Sequence, residues 1–273
     1  MHSCFFVQER TNMEKINLMD FQKRKLKNFY IALYIITKEI RIRTESCITN
    51  KKLYVLTGLD IMGSRQVLGV YFDNKNDNRF WLERFEDIQA RGVNKVLFFV
   101  TPVNKNIERC IKILYNEVQI IHSPDEIYES ITRFFAQKPS RKLQIAMKDL
   151  FLKENIDKYK IDLEMFKEIY LENKIIRIIL SEKEKEIEKF YKYNYALRKL
   201  LYPYYVIREM QKFLNKLKTR EKLCTNINEV IEAFLPYIHT FETGRTYGKT
   251  EWLELISEIY EDYKEILEEY LNG

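Results

Sequence analysis

Side chains able to do chemistry are thinly spread along this chain. The four cysteines, Cys4, Cys47, Cys110 and Cys224, show no short paired spacing and no Cys/His cluster, so they do not read as a structural zinc site. Reduced, partly buried thiols in a cytoplasmic protein are the expectation. The strongest local charge is Lys23-Arg24-Lys25-Leu26-Lys27, with further basic residues at Arg198, Lys199, Arg245 and Lys249. Ammonium and guanidinium groups of this kind can contact phosphates whatever the base sequence, in a salt-sensitive way. The competing reading for each alone is a solvated helix surface.

Composition narrows the classes. A hydrophobic fraction of 46% in 273 residues allows a proper core, and only 7 Gly and 5 Pro point to long helices. The 19 Tyr and 17 Phe supply much of the core volume. Net charge is +6, a mild excess that permits a nucleic-acid partner without requiring one. The longest apolar run, residues 29–36, is too short to cross a bilayer and is followed by Lys38 and Glu39. Phe5, Phe6 and Val7 do not extend into a signal-peptide core. A membrane partner is not expected.

The elements that must position any site change character halfway. Residues 29–43, 53–61 and 67–72 read as three strands, the last two joined by a turn at Met62-Gly63-Ser64. Phe80, Trp81, Leu82, Phe85 and Ile88 fall at helical spacing, and Gly92 stands where that helix should stop. Then come a buried strand at 95–100, a helix at 104–115, a strand at 118–122 and a helix at 124–136. The order β-β-β-α-β-α-β-α predicts an α/β fold with a mixed sheet and helices on both faces, the element order of the ribonuclease H-like fold. From residue 140 onward only helices are expected, at 148–155, 162–172, 175–193, about 204–217 and 251–271. Ser181-Glu-Lys-Glu-Lys-Glu-Ile-Glu-Lys189 is a solvated helix face laced with pairs. The expected organisation is a short N-terminal remnant (1–28), a ribonuclease H-like core (29–138), an all-helical insertion (139–222) and C-terminal helices completing the core (223–273).

The stretch from Val67-Leu-Gly-Val-Tyr-Phe72 to Phe80-Trp-Leu-Glu-Arg-Phe-Glu-Asp-Ile-Gln-Ala-Arg-Gly-Val93 resembles the Mutator-type bacterial insertion-sequence transposases. Gly58, Gly63, Leu68, Gly69, Phe80, Trp81, Leu82, Arg91 and Gly92 fall where that family's pattern wants them. Near the C-terminus, Arg220-Glu-Lys-Leu-Cys-Thr-Asn-Ile-Asn-Glu229 is similar to another family segment, with Thr225, Asn226 and Glu229 matching. The resemblance covers most of the chain from about Phe29 onward. Taken alone, Trp81 would read as core packing.

The resemblance implies a metal-dependent DNA transposase with a ribonuclease H-like core. In such enzymes three carboxylates hold two divalent ions, roughly 3.5–4 Å apart, of the Mg²⁺ or Mn²⁺ type. Mapped onto this chain, the first Asp position falls on or next to Ile36, and the second falls on Pro102 with no gap from Arg91-Gly92. Only the third position, Glu229, keeps its acid. Glu39, the one acid of the first strand, lies an odd number of residues from Ile36 and so points to the other face. Asp60 sits near the far end of the second strand. A lone Glu229 suits helix capping or an ion pair better than two metals.

The family's Cys-x-x-His element is also replaced. Gln119 is kept, but the Cys position holds Ile121 and the His position Pro124, which leaves His122 as an incidental strand-end residue. With fewer than thirty residues before the first strand, the expectation is a shortened form without the family's large N-terminal DNA-binding region. The resulting expectation is a transposase-like protein with DNA-binding and DNA-transposition ancestry, catalytically inactive, with no bound cofactor and with DNA contacts from Lys23, Arg24, Lys25, Lys27, Arg245 and Lys249. DNA is the expected partner, and a homodimer is compatible. The alternatives are an active metal-dependent nuclease with relocated carboxylates, using Mg²⁺ or Mn²⁺, and a non-catalytic protein-interaction module.

Overall fold

A computed structural model of the chain describes residues 18–43, 48–73, 75, 77–116, 118–123, 145–146, 149–169, 174–202, 206–220 and 226–272. After a short helix α1 (Leu18–Lys23) come β1 (Phe29–Arg43), β2 (Ile48–Leu59), β3 (Arg65–Asp73), α2 (Asn78–Ala90), β4 (Lys95–Thr101), α3 (Lys105–Leu114) and β5 (Gln119–His122). The five strands form one sheet in the order β3-β2-β1-β4-β5. The β1–β2 and β2–β3 pairs are antiparallel, while β1–β4 and β4–β5 are parallel. The mixed α/β sheet and its element order are as expected through β5. The helix expected at 124–136 lies outside the described residues.

Each sheet face has its own core, as strand alternation requires. On one face Tyr30, Leu33 and Ile35 pack with Trp81, Phe85 and Ile88 of α2 and with Ile107 and Ile111 of α3. Trp81 is fully buried there, edge-on to Tyr54 at 4.9 Å and stacked on Phe85 at 5.7 Å, a packing role. On the other face Tyr34, Ile36, Val55 and Val100 share a larger core with the C-terminal helices.

Those helices are α4 (Ile156–Ile169), α5 (Lys174–Phe190), α6 (Tyr195–Leu201), α7 (Arg208–Arg220), α8 (Ile227–Thr243) and α9 (Lys249–Asn272). Their boundaries depart from the expected ones for a local reason: asparagine caps restart the chain. Asn155 Oδ1 accepts from Lys158 N at 2.9 Å, so α4 begins six residues before the expected 162. Asn194 accepts from Leu197 N and opens α6, which falls in the gap between the helices expected at 175–193 and about 204–217. Strand β2 starts earlier than the expected 53, because Ile48 and the polar residues 49–52 pair with the far end of the long β1.

Two glycines sit where the backbone demands them. Gly63 (φ 74°) completes the β2–β3 turn, and a Cβ there would lie 2.8 Å from Trp252, whose Nε1 donates to Ile61 O at 3.0 Å. Gly92 (φ 126°) ends α2 against Leu26, whose N–H donates to Arg91 O at 2.8 Å.

Candidate functional site

The parallel pairing of β1 and β4 sets the geometry of the first two positions. The last paired residues are Tyr34 and Val100. Ile36 and Pro102 each lie two residues further along in sequence, Ile36 still within β1 and in the core that Tyr34 and Val100 share. Ile36 is 7% exposed, opposite Val55 on β2. Pro102 is half-buried, one residue past the end of β4. Helix α7 crosses nearby, with Lys38 Nζ donating to Asn215 Oδ1 at 2.9 Å and Leu214 buried in the same core. Neither Ile nor Pro has a side-chain oxygen, so this corner is apolar where a hard cation would need carboxylates.

Neighbouring acids do not fill the gap. Glu39 is exposed and sits opposite Lys52. Asp60 is 3% exposed, but its Oδ1 accepts from Met62 N and Ser64 N at 2.9 and 2.8 Å, and its Oδ2 pairs with Lys27. It holds the β2–β3 turn. Glu229, in the first turn of α8, folds back on its cap. Asn226 Oδ1 accepts from Glu229 N at 3.0 Å, and Asn226 Nδ2 donates to Glu229 Oε1 at 2.9 Å. Among the described residues no group of three or more His, Cys, Asp or Glu could hold a metal ion. The donor set at the mapped positions does not fit a two-metal centre.

Gln119 is held between two phenols: it donates to Tyr263 Oη at 3.1 Å and accepts from Tyr193 at 2.9 Å. His122 Nε2 lies 3.1 Å from Glu108 Oε1 on α3. Ile121 is buried, and Pro124 lies outside the described residues. Cys110 is buried, and burial pushes its thiol up from the ordinary value. Cys4, Cys47 and Cys224 lie outside the described residues.

The basic residues divide into committed and exposed groups. Arg24 forks onto both carboxylate oxygens of Glu242, donates to Val67 O and lies over the Phe21 ring at 4.7 Å. Lys27 is paired with Asp60, and Lys199 lies 3.3 Å from Glu251. Arg198 is 1% exposed and donates to the carbonyls of Lys153, Glu154 and Tyr193. Lys23, Lys25, Arg245 and Lys249 are exposed.

Two inward charges escaped the sequence reading. Glu242 Oε1 accepts from Val67 N at 2.7 Å, so Glu242 and Arg24 together satisfy both backbone groups of one residue on edge strand β3. Arg65 is 3% exposed and donates to Glu209, Phe241 O and Val206 O, tying β3 to α7 and α8. Burial pulls its guanidinium below the ordinary value, while Glu209 opposes that shift. No local pattern marks either residue, because their partners are distant in the chain.

Among the described residues no helix is long and apolar enough to cross a membrane. Similar proteins agree on one family. The chain is 21% identical over 185 residues to the transposase for insertion sequence element ISRM3 of Rhizobium meliloti (strain 1021), covering 67% of this chain and 46% of that protein. A probable ISRM3-like transposase of Sinorhizobium fredii is 20% identical over the same shares. A probable insertion-element transposase of Corynebacterium diphtheriae is 19% identical, over 55% of this chain and 43% of that protein. The chain thus matches a little under half the length of these relatives. The family profile of Mutator transposases matches residues 6–235, most of the sequence, and the chain belongs to the Mutator family of transposases.

Proposed function

We propose that this protein keeps the family's ribonuclease H-like scaffold and its partnership with DNA but does not cut DNA by the metal-dependent route. What supports the scaffold reading is the strand order β3-β2-β1-β4-β5, with three antiparallel strands followed by two parallel ones. Residues 139–222 act as a helical insertion and 223–273 complete the core, in keeping with α8 packed along β3 and Trp252 of α9 seated on the β2–β3 turn.

The observation that carries the inactive reading is the pair Ile36 and Pro102, each two residues beyond the last β1–β4 pair, at the positions where the family resemblance places two carboxylates. Without them no hard-cation site can form around Glu229, and the attacking and leaving oxygens of a phosphodiester have no metals to share. The DNA partnership rests on charge: Lys23, Lys25, Arg245 and Lys249 reach the surface and can contact phosphates, while Arg24 and Lys27 serve the fold. Among the described residues, an active nuclease with relocated carboxylates finds no three-acid group to use.

The test is incubation of the purified chain with supercoiled DNA and Mn²⁺, beside a salt titration of binding to random duplex. Binding that weakens steeply with salt, with no nicking, is the expected result. Nicking lost in Glu229→Ala would overturn the inactive reading, and no binding at low ionic strength would favour a protein-interaction module.

A further inference from the structure

Helix α3 buries Ile107, Cys110 and Ile111 and turns Lys105, Arg109 and Lys112 away from the sheet, all three exposed. Spacings of four and three residues place these cations on one stripe of about 10 Å, at roughly 1.5 Å per residue. The one acid of the helix, Glu108, borders the crest, three residues after Lys105 and four before Lys112, and faces His122 Nε2 at 3.1 Å. Helix α2 differs: its Arg79 and Arg84 are both paired with Glu83.

The wider charge distribution points the same way. Helix α9 carries eight acidic and two basic residues, so a chain of net +6 leaves +12 outside that helix. The crest starts three residues past Pro102, beyond the C-terminal end of β4. Duplex DNA carries about one negative charge per 1.7 Å of axis, so a stripe of this length spans several phosphates.

We propose that the α3 crest is a contact surface for the phosphate backbone of duplex DNA, held by Lys105, Arg109 and Lys112 without a metal, an assignment that rests on the DNA-partner reading above. The proposed contacts are to phosphates, which position a protein on the duplex and carry no sequence information directly. The spacing of the crest also distinguishes it from the scattered basic residues of the N- and C-terminal segments.

The experiment compares the full chain with the triple variant Lys105→Gln/Arg109→Gln/Lys112→Gln by fluorescence anisotropy on random-sequence duplex DNA across a salt series. Thermal melting serves as the folding check, since all three side chains are exposed. The triple variant should bind on the order of 10-fold or more weakly at low salt, and the slope of log K against log salt should shrink by about 2.7, roughly 0.9 for each phosphate that is no longer neutralised. Lys264→Gln on α9 should leave the slope unchanged. If the parent chain binds and the triple variant keeps its slope, the crest assignment fails while the DNA reading stands. If the parent chain does not bind, both fail. If the triple variant shifts sedimentation and not the DNA slope, the crest meets the acidic α9 of a second copy, and the proposal is overturned.

Discussion

Ile36 on β1 and Pro102 after β4 each lie two residues beyond the Tyr34–Val100 pair, where the parallel pairing of β1 and β4 ends. Parallel register makes residues that are 66 apart in sequence into neighbours, which is how a fold of this kind brings two distant acids to one cation. Here the two positions just past that register carry side chains without an oxygen. Ile36 belongs to the core beneath, with Val55 and Val100.

An acid returned to this position alone should therefore be costly. Ile36→Asp places a carboxylate at a site 7% exposed, and the expected loss is about 2–4 kcal/mol in urea unfolding near neutral pH. Burial raises the carboxyl's pKa above its unfolded value, so the penalty should shrink as pH falls and the group becomes neutral. The double variant Ile36→Asp/Pro102→Asp should regain stability when Mn²⁺ is added, because ligand binding to the folded state alone stabilises it. A single variant as stable as the parent would show that Ile36 is not packed as described.

Glu242 should be worth more than a surface acid. Glu242→Ala removes the acceptor for Val67 N and the partner of Arg24, and should cost about 2–3 kcal/mol by denaturant unfolding. Glu242→Gln keeps an acceptor and should cost less. A loss from the alanine variant within about 0.5 kcal/mol, the usual surface range, would contradict this role.

Alkaline stability should be limited by buried phenols. Burial raises Tyr30, Tyr54 and Tyr193 from 10.0 to about 12. Their unfolded forms release protons first, so the stability they contribute is fully present below pH 10 and is lost as pH rises through about 12. Tyrosinate absorbance during a pH titration should rise late for these groups, and Tyr30→Phe should remove part of the late-rising amplitude. An early, uniform rise near pH 10 with the fold intact would contradict the burial.

Much of the sheet was legible in the sequence. The bounds of β1 follow from its apolar run and its alternating Ile40-Arg41-Ile42-Arg43 tail, and Gly63 and Gly92 mark the turns that their positive φ requires. The first residues of β2 were not legible, because 49–52 are polar and 48–51 pair with the far end of β1 alone. In the helical half, dense Glu and Lys suit a helix anywhere, so the breaks depend on Asn155 and Asn194, a residue type equally common in loops. The cluster at 23–27 read as one basic surface, yet Arg24 and Lys27 find acids 218 and 33 residues away. Such pairings belong to tertiary structure, and no local pattern encodes them. The α3 crest was legible in principle, as three cations at positions 105, 109 and 112 of an amphipathic helix.

The central claim is that Glu229 belongs to a helix cap and not to a metal centre, and calorimetry with Mn²⁺ on the parent chain and on Glu229→Ala tests it most directly. The account predicts no stoichiometric two-ion binding by either protein. Glu229→Ala should lose only about 0.5–1 kcal/mol of stability, through its side chain's bond to Asn226. Tight binding of two Mn²⁺ per chain, abolished by Glu229→Ala, would contradict it.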